Sequence, residues 1–438
     1  MTFLASSILI LAHLISWTLA SKVRFQHSPV KLTTALSFLH TVPHSVICSF
    51  APEQSILFSY LGQDFTFYLA QFCILYSIAF LIHTLVLTKI VQHKIPSAKI
   101  FSFNAHYPYK KAFLFLFVAY LITVIYYFIS IGGLLNFLAN FYIRDELKAG
   151  MGIFNMFRFP FAYLAIIFLV IAYKRQESQS LIVFFSILIG MAFVEALFGG
   201  RRNPIQFLIF GYLALLILDS DKRLISKNSV LIASTVAFIF VGLYYFRSFV
   251  SLEANSTSTS VDIPIIEYIL NISYNDIYIF VIAHFSQNDL WLGSIYADIL
   301  NKFGSYIFGY DSPSPDEGLY IYNLYQGKYV EPPMLPGDAI LNSWPPRTFG
   351  NGYMNFGISG VFIFFAIKGA LLGFVYRLMK DAAYNPIFIY LYLYMIFSFQ
   401  LSNLKIFEFI TILFTIIILL IPLTLIANWR KLLRKYVL

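Results

Sequence analysis

The 438-residue chain is 59% hydrophobic and only 12% charged, with a mean hydropathy of +0.75. Soluble domains are about 45–50% apolar and about 25% charged, so this composition excludes an ordinary soluble enzyme and points to a polytopic membrane protein. The formal charge of +9 is therefore read first as membrane topology, not as affinity for nucleic acid.

A helix needs about 20 apolar residues to cross a hydrocarbon core of ~30 Å. Runs that approach this length fall at 3–19, 33–50, 65–88, 112–135, 159–173, 181–198, 205–219, 229–246, 356–376, 386–402 and 409–427. The expected fold class is all-α, a polytopic membrane helical bundle of about 11 transmembrane helices. Its first run, MTFLASSILILAHLISWTLA, has no positive leader, and its basic residues Lys22 and Arg24 follow it. That order reads as an uncleaved span with its start outside. The second run is the weakest, because it carries Pro43, His40 and His44. Cys48 and Cys73 lie in or beside apolar runs and read as packing residues, with no disulfide framework.

With the basic tail NWRKLLRKYVL in the cytoplasm, most lysines and arginines fall in short inner segments. Outside, arginine outnumbers lysine, and the guanidinium is the planar, bidentate binder of phosphate and carboxylate. The expected organisation is helices 1–8 over residues 1–246 with a small outer loop at 136–158, a large outer loop at 247–355, and helices 9–11 with the basic tail over 356–438.

Within the small loop lie Arg144 and Arg158. Between two spans, FGGRRNP at 198–204 places Arg201 and Arg202 after a Gly-Gly turn, with Glu195 one helical turn earlier. Glu195 and Lys368 are ionisable residues inside predicted spans, where charge is expensive and functional by default. Arg247 opens the large loop and Arg347 lies near its end, in NSWPPRTFGNGYMNFGISG. On this topology four guanidinium groups, of Arg201, Arg202, Arg247 and Arg347, converge at the outer rim. The competing reading makes them interfacial anchors.

The large loop itself is not uniform. Ile265, Ile269 and Ile272 opposite Glu267, Asn271 and Asn275 give one amphipathic helix, and Trp291, Ile295, Ile299 and Phe303 a second, with Asp298 and Lys302 paired on its polar face. The Pro/Gly/Tyr-rich stretch GYDSPSPDEGLYIYNLYQGKYVEPPMLPGDAI reads as loop. Its tyrosines, with Trp344 and Tyr353, suit stacking on sugars as well as an interfacial belt. Acid/base candidates are His284, Asp289, Asp338 and Glu195. No HExxH, CxxC, Walker, GxSxG or clear DxD pattern occurs, so no metal and no cofactor is expected.

The outer GGRRN turn, the arginine in YYFRSF leaving the next span, the long outer loop and the closing GNGYMNFGISG together resemble the oligosaccharide repeat unit polymerases of the O-antigen polymerase (Wzy-type) family, including the enterobacterial common antigen polymerase branch. The resemblance covers most of the chain, through short motifs. It implies a metal-independent polymerase of the bacterial inner membrane, which joins undecaprenyl-pyrophosphate-linked oligosaccharides at the outer face. It implies that Arg201, Arg202, Arg247 and Arg347, with Arg144, Arg158 and Tyr353, bind substrate, and that one of the acid/base candidates takes the acceptor proton. A chain-length regulator protein is a further partner it implies; nucleic acid is not. O-antigen ligases share the donor, and a transporter or flippase of lipid-linked oligosaccharides is the alternative from another class.

Overall fold

The computed structural model describes residues 1–21, 28–101, 107–139, 152–174, 181–198, 203–218, 270, 273–308, 310, 312, 315–332, 339–340 and 342–436. Among them the regular structure is helical. In chain order the helices are α1 (Thr2–Ser21), α2 (Pro29–Phe50), α3 (Phe58–Leu61), α4 (Asp64–Gln92), α5 (Tyr109–Ser130), α6 (Leu134–Ala139), α7 (Gly152–Lys174), α8 (Leu181–Phe198), α9 (Asn203–Leu218), α10 (Asn275–Phe285), α11 (Ala297–Phe308), α12 (Glu317–Tyr325), α13 (Arg347–Asp381), α14 (Pro386–Phe397) and α15 (Asn403–Tyr436).

Six segments among the described residues are long and apolar enough to cross a membrane: Thr2–Ala20, Asp64–Gln92, Tyr109–Ser130, Phe157–Lys174, Arg347–Asp381 and Asn403–Ile426. Their composition and number are those of a multi-pass membrane protein. The α5 surface agrees, because Ile122, Ile125 and Ile129 share one exposed apolar face that hydrocarbon solvates and water does not. The remaining expected runs fall on α2 and the shorter apolar helices α8, α9 and α14, except that at 229–246, which lies outside the described residues.

The chain forms two compact units, each built from several stretches of sequence. One comprises Met1–Ile95, Asp262–Arg377 and Ser398–Phe409; the other comprises Pro96–Val261, Leu378–Phe397 and Ile410–Leu438.

In the first unit α1, α2 and α4 pack against one another and α10 packs on α4. Polar pairs fix these helices, since a hydroxyl or imidazole inside an apolar bundle must find a partner. His13 Nε2 bonds Ser37 Oγ at 2.9 Å, and Ser37 Oγ bonds the Tyr76 hydroxyl at 2.9 Å. Asn275, completely buried, donates to Thr41 O at 2.7 Å and to Ser45 Oγ at 2.9 Å. His44 faces Asp276 at 3.0 Å. These polar residues are what make α2 the weakest apolar run.

The unit's long helix α13 is broken at Phe356 and Gly357, the latter at φ 62, ψ −148, a region that side-chain-bearing residues avoid. The bend brings the backbone of Gly360 onto that of Gly352; a Cβ at Gly360 would lie 2.1 Å from the Gly352 carbonyl oxygen. Further along, Gly369 lets α13 approach α4 so closely that a Cβ there would sit 2.7 Å from His83 O.

Two expectations for the large loop are corrected here. The stretch after Tyr310 is not all loop: Glu317–Tyr325 is a helix, capped by Asp316, whose side chain accepts from Gly318 N at 2.9 Å. Its Leu319, Tyr320, Ile321 and Leu324 are buried, so packing overrides the glycine and proline around it. Nor do Asp298 and Lys302 form the expected surface pair. Asp298 is completely buried and accepts from the Tyr320 hydroxyl at 2.9 Å, whereas Lys302 Nζ donates to Ser312 O at 3.4 Å. Tyr320 of α12 thus takes the Asp298 carboxylate that reads as solvated.

The second unit packs α5 on α7, α9 on α7 and α8, and α14 on α7 and α9. Residues 162–172 of α7 are almost entirely buried. Tyr163 packs against Phe207 and Phe210, with ring centroids 5.2 and 4.4 Å away, and the Tyr107 hydroxyl donates to Leu423 O at 3.1 Å.

Candidate functional site

Of the sequence-nominated residues, Arg144, Arg201, Arg202, Arg247 and Asp338 lie outside the described residues. The others separate into two sets of different character.

Arg158 and Glu195 meet in the second unit. Both are buried, Arg158 Nη1 bonds Glu195 Oε2, and the Tyr120 hydroxyl donates to Glu195 Oε1 at 3.0 Å. The guanidinium also lies 4.0 Å from the centroid of Phe159. A carboxylate so enclosed is committed to its partners, and the pair clips α7, α8 and α5 together.

Arg347 has the opposite surroundings. It begins α13 after Pro345 and Pro346 and holds a left-handed backbone, φ 53, which costs a residue with a side chain about 1–2 kcal/mol. Its guanidinium lies 3.4 Å from the centroid of Tyr274. Among the described residues it has no carboxylate partner and no hydrogen-bond acceptor. Its charge is felt at Tyr76, Tyr278 and Lys368, so the surroundings of this cation are aromatic and cationic. Strain kept at an unpaired charge is a mark of function, because packing alone would not select it.

Lys368 belongs to the same unit. Its Nζ donates to Gln400 Oε1 at 2.8 Å, and Thr348 Oγ1 donates to the same oxygen at 2.8 Å. The Thr348 hydroxyl accepts from Leu401 N at 3.1 Å. Thr348, Asn351 and Asn355 form a polar stripe on α13. Asn351 Nδ2 donates to Leu401 O at 2.7 Å, and Asn355 Oδ1 accepts from Gly293 N at 3.0 Å. That stripe fixes the Arg347 end of α13 to residues 291–293 and 400–401.

Tyr353 is buried in the unit's apolar core. His284 closes α10 half-buried between Phe280 and Phe285, with ring centroids 5.8 and 4.9 Å away, and burial lowers its pKa, so it is neutral near neutral pH. Asp289 follows in an exposed turn. Tyr325 stacks on Trp344 with centroids 4.2 Å apart, and Tyr322 and Phe280 meet the same indole edge-on.

Two carboxylates stand out in the structure: Asp298, which the sequence assigns as a partner for Lys302, and Glu317, which the sequence does not single out. Burial pushes Asp298 up to about 6, and burial with the neighbouring Asp316 charge pushes Glu317 up to about 8. One oxygen of each has no hydrogen-bond partner. Nothing in the pattern PDEG marks Glu317 as buried; in the structure it is 1% exposed, and the Leu404 amide donates to it at 3.3 Å. The folded state holds this proton up to about 8, whereas the unfolded chain releases it near the ordinary 4.5. Stability is therefore undiminished at low pH and falls as pH rises through that interval. Glu317→Gln, neutral and of the same shape, is expected to flatten the decline and to raise the unfolding midpoint above wild type at the alkaline end; thermal melts in detergent across that range measure it.

Groups of three or more metal-ligating side chains are absent among the described residues. No family model, curated protein or solved structure matches this chain.

Proposed function

We propose that the chain is a membrane polymerase of the glycosyltransferase type, joining oligosaccharide repeat units carried on undecaprenyl pyrophosphate at the outer face of the bacterial inner membrane. One observation carries the reading: Arg347, in a protein rich in long apolar helices, is held in a strained backbone with no anionic partner among the described residues. A guanidinium so placed demands a phosphate or carboxylate ligand, and the Tyr325–Trp344 stack in the same unit offers rings of the kind that sugars stack on.

In the transfer, the acceptor hydroxyl oxygen bonds to the anomeric carbon of the donor sugar. The bond from that carbon to the pyrophosphate oxygen breaks, and the electron pair leaves with the polyprenyl pyrophosphate. Arg347 stabilises the charge that grows on this leaving group. The acceptor proton passes to a base, for which neutral His284 and exposed Asp289 are the candidates among the described residues.

Deletion of the gene in its host, with surface glycans resolved by gel electrophoresis, tests the proposal. The expected result is single repeat units in place of a ladder. An unchanged ladder overturns it, and a surface without any repeat unit reassigns the protein to ligase or flippase.

A further inference from the structure

We propose that Arg347 and Lys368 form the two arms of one diphosphate site, with Lys368 the residue that distinguishes a diphosphate from a monophosphate. The inference rests on the polymerase reading for its lipid; its chemistry rests on Lys368 meeting Thr348, the neighbour of Arg347, at Gln400 Oε1.

Lys368 lies inside the apolar helix α13, where an ammonium is tolerated only with a partner. The partner it has is the neutral amide oxygen of Gln400, already occupied by the Thr348 hydroxyl. One acceptor serves one of the ammonium's donors and leaves the charge uncompensated. Neither Lys368 nor Arg347 is ion-paired to a carboxylate among the described residues. Lys368 nonetheless feels the charge of Arg347, and His83, a third basic group, feels that of Lys368. Two like charges brought together in a membrane-embedded unit repel unless an anion lies near both.

The placement is built, not incidental. Thr348 ties the Arg347 end of the helix to residues 400–401, and Gly369 holds the Lys368 turn against α4. Lys368 cannot move away without breaking its bond to Gln400. A ligand with two linked phosphoryl groups fits: Arg347 takes one with its fork, and Lys368 takes the other as a point charge.

Full-length protein in nanodiscs of phosphatidylcholine is titrated with farnesyl diphosphate, farnesyl monophosphate and inorganic pyrophosphate. Wild type is expected to prefer the diphosphate over the monophosphate. Lys368→Gln should weaken diphosphate binding at least about tenfold, leave monophosphate binding within about twofold, and Lys368→Arg should restore it. Gln400→Glu is the second variant: it keeps the bonds to Thr348 and Lys368 but supplies the missing negative charge, and should weaken diphosphate binding with both cations in place. A preference for farnesyl diphosphate over inorganic pyrophosphate assigns the site to a lipid; equal binding assigns it to free diphosphate. Unchanged diphosphate affinity in both folded variants overturns the site, whatever the glycan ladder shows. Lys368-dependent binding beside an unchanged ladder in the deletion host keeps the site and removes the polymerase.

Discussion

Replacing Glu195 by alanine is expected to destabilise the protein by about 3–5 kcal/mol, because it removes the carboxylate paired with the buried Arg158 guanidinium. Both side chains are buried, 2% and 1% exposed, which puts the pair well outside the regime where solvent screens an ion pair to insignificance. Arg158→Ala leaves Glu195 with the Tyr120 hydroxyl as its one partner among the described residues and is expected to be as damaging. The double replacement Arg158→Met with Glu195→Leu removes both charges and keeps the volume, so it is expected to be more stable than either single variant. Unfolding of the full-length protein in detergent, followed by tryptophan fluorescence, completes the cycle. Equal stability of wild type and Glu195→Ala would show that the pair is not what joins α5, α7 and α8.

Arg347→Ala is expected to behave in the opposite way: chain growth falls by about a hundredfold or more, the loss typical of removing one donor that stabilises developing charge, while the fold survives. The survival follows from the contacts. Among the described residues Arg347 holds no carboxylate and no acceptor, and the ring of Tyr274 returns about 0.5–2 kcal/mol at most. Relief of the left-handed backbone does not offset this in alanine, which is equally strained there; Arg347→Gly should be the more stable of the two and just as inactive. Arg347→Lys keeps the charge without the planar fork and should recover only part of the activity. Surface glycan length in a complemented deletion host, with membrane levels of the variant measured beside it, decides the outcome. A full ladder in Arg347→Ala at normal expression would remove this residue from the reaction.

The contrast between these two arginines shows how far the one-dimensional reading reached. Both are arginines beside apolar runs, and both are expected from the sequence to lie in outer loops. Arg158 proves to be half of a buried pair with Glu195, 37 positions away. Arg347 proves to have no counter-charge among the described residues. Glu195 was legible as an ionisable residue that must have a reason to lie in an apolar run, but its partner was not, because no spacing rule connects α7 to α8. In the same way Asp298 reads as the i,i+4 partner of Lys302, and it is the Tyr320 hydroxyl, carried in from α12, that takes it.

What composition and apolar run length determined by themselves is the all-helical, multi-pass character of the chain and the position of its long apolar helices. Those properties follow from the hydrogen-bonding demand of the backbone in hydrocarbon, which every stretch of about 20 apolar residues meets in the same way. Tertiary structure alone decided that α1, α2, α4 and α10 share a unit with the first part of α13, that a helix forms at Glu317, and which charges are compensated. Charge compensation depends on distances of a few ångströms between residues far apart in the chain, and Coulomb's law acts on those distances, not on sequence separation.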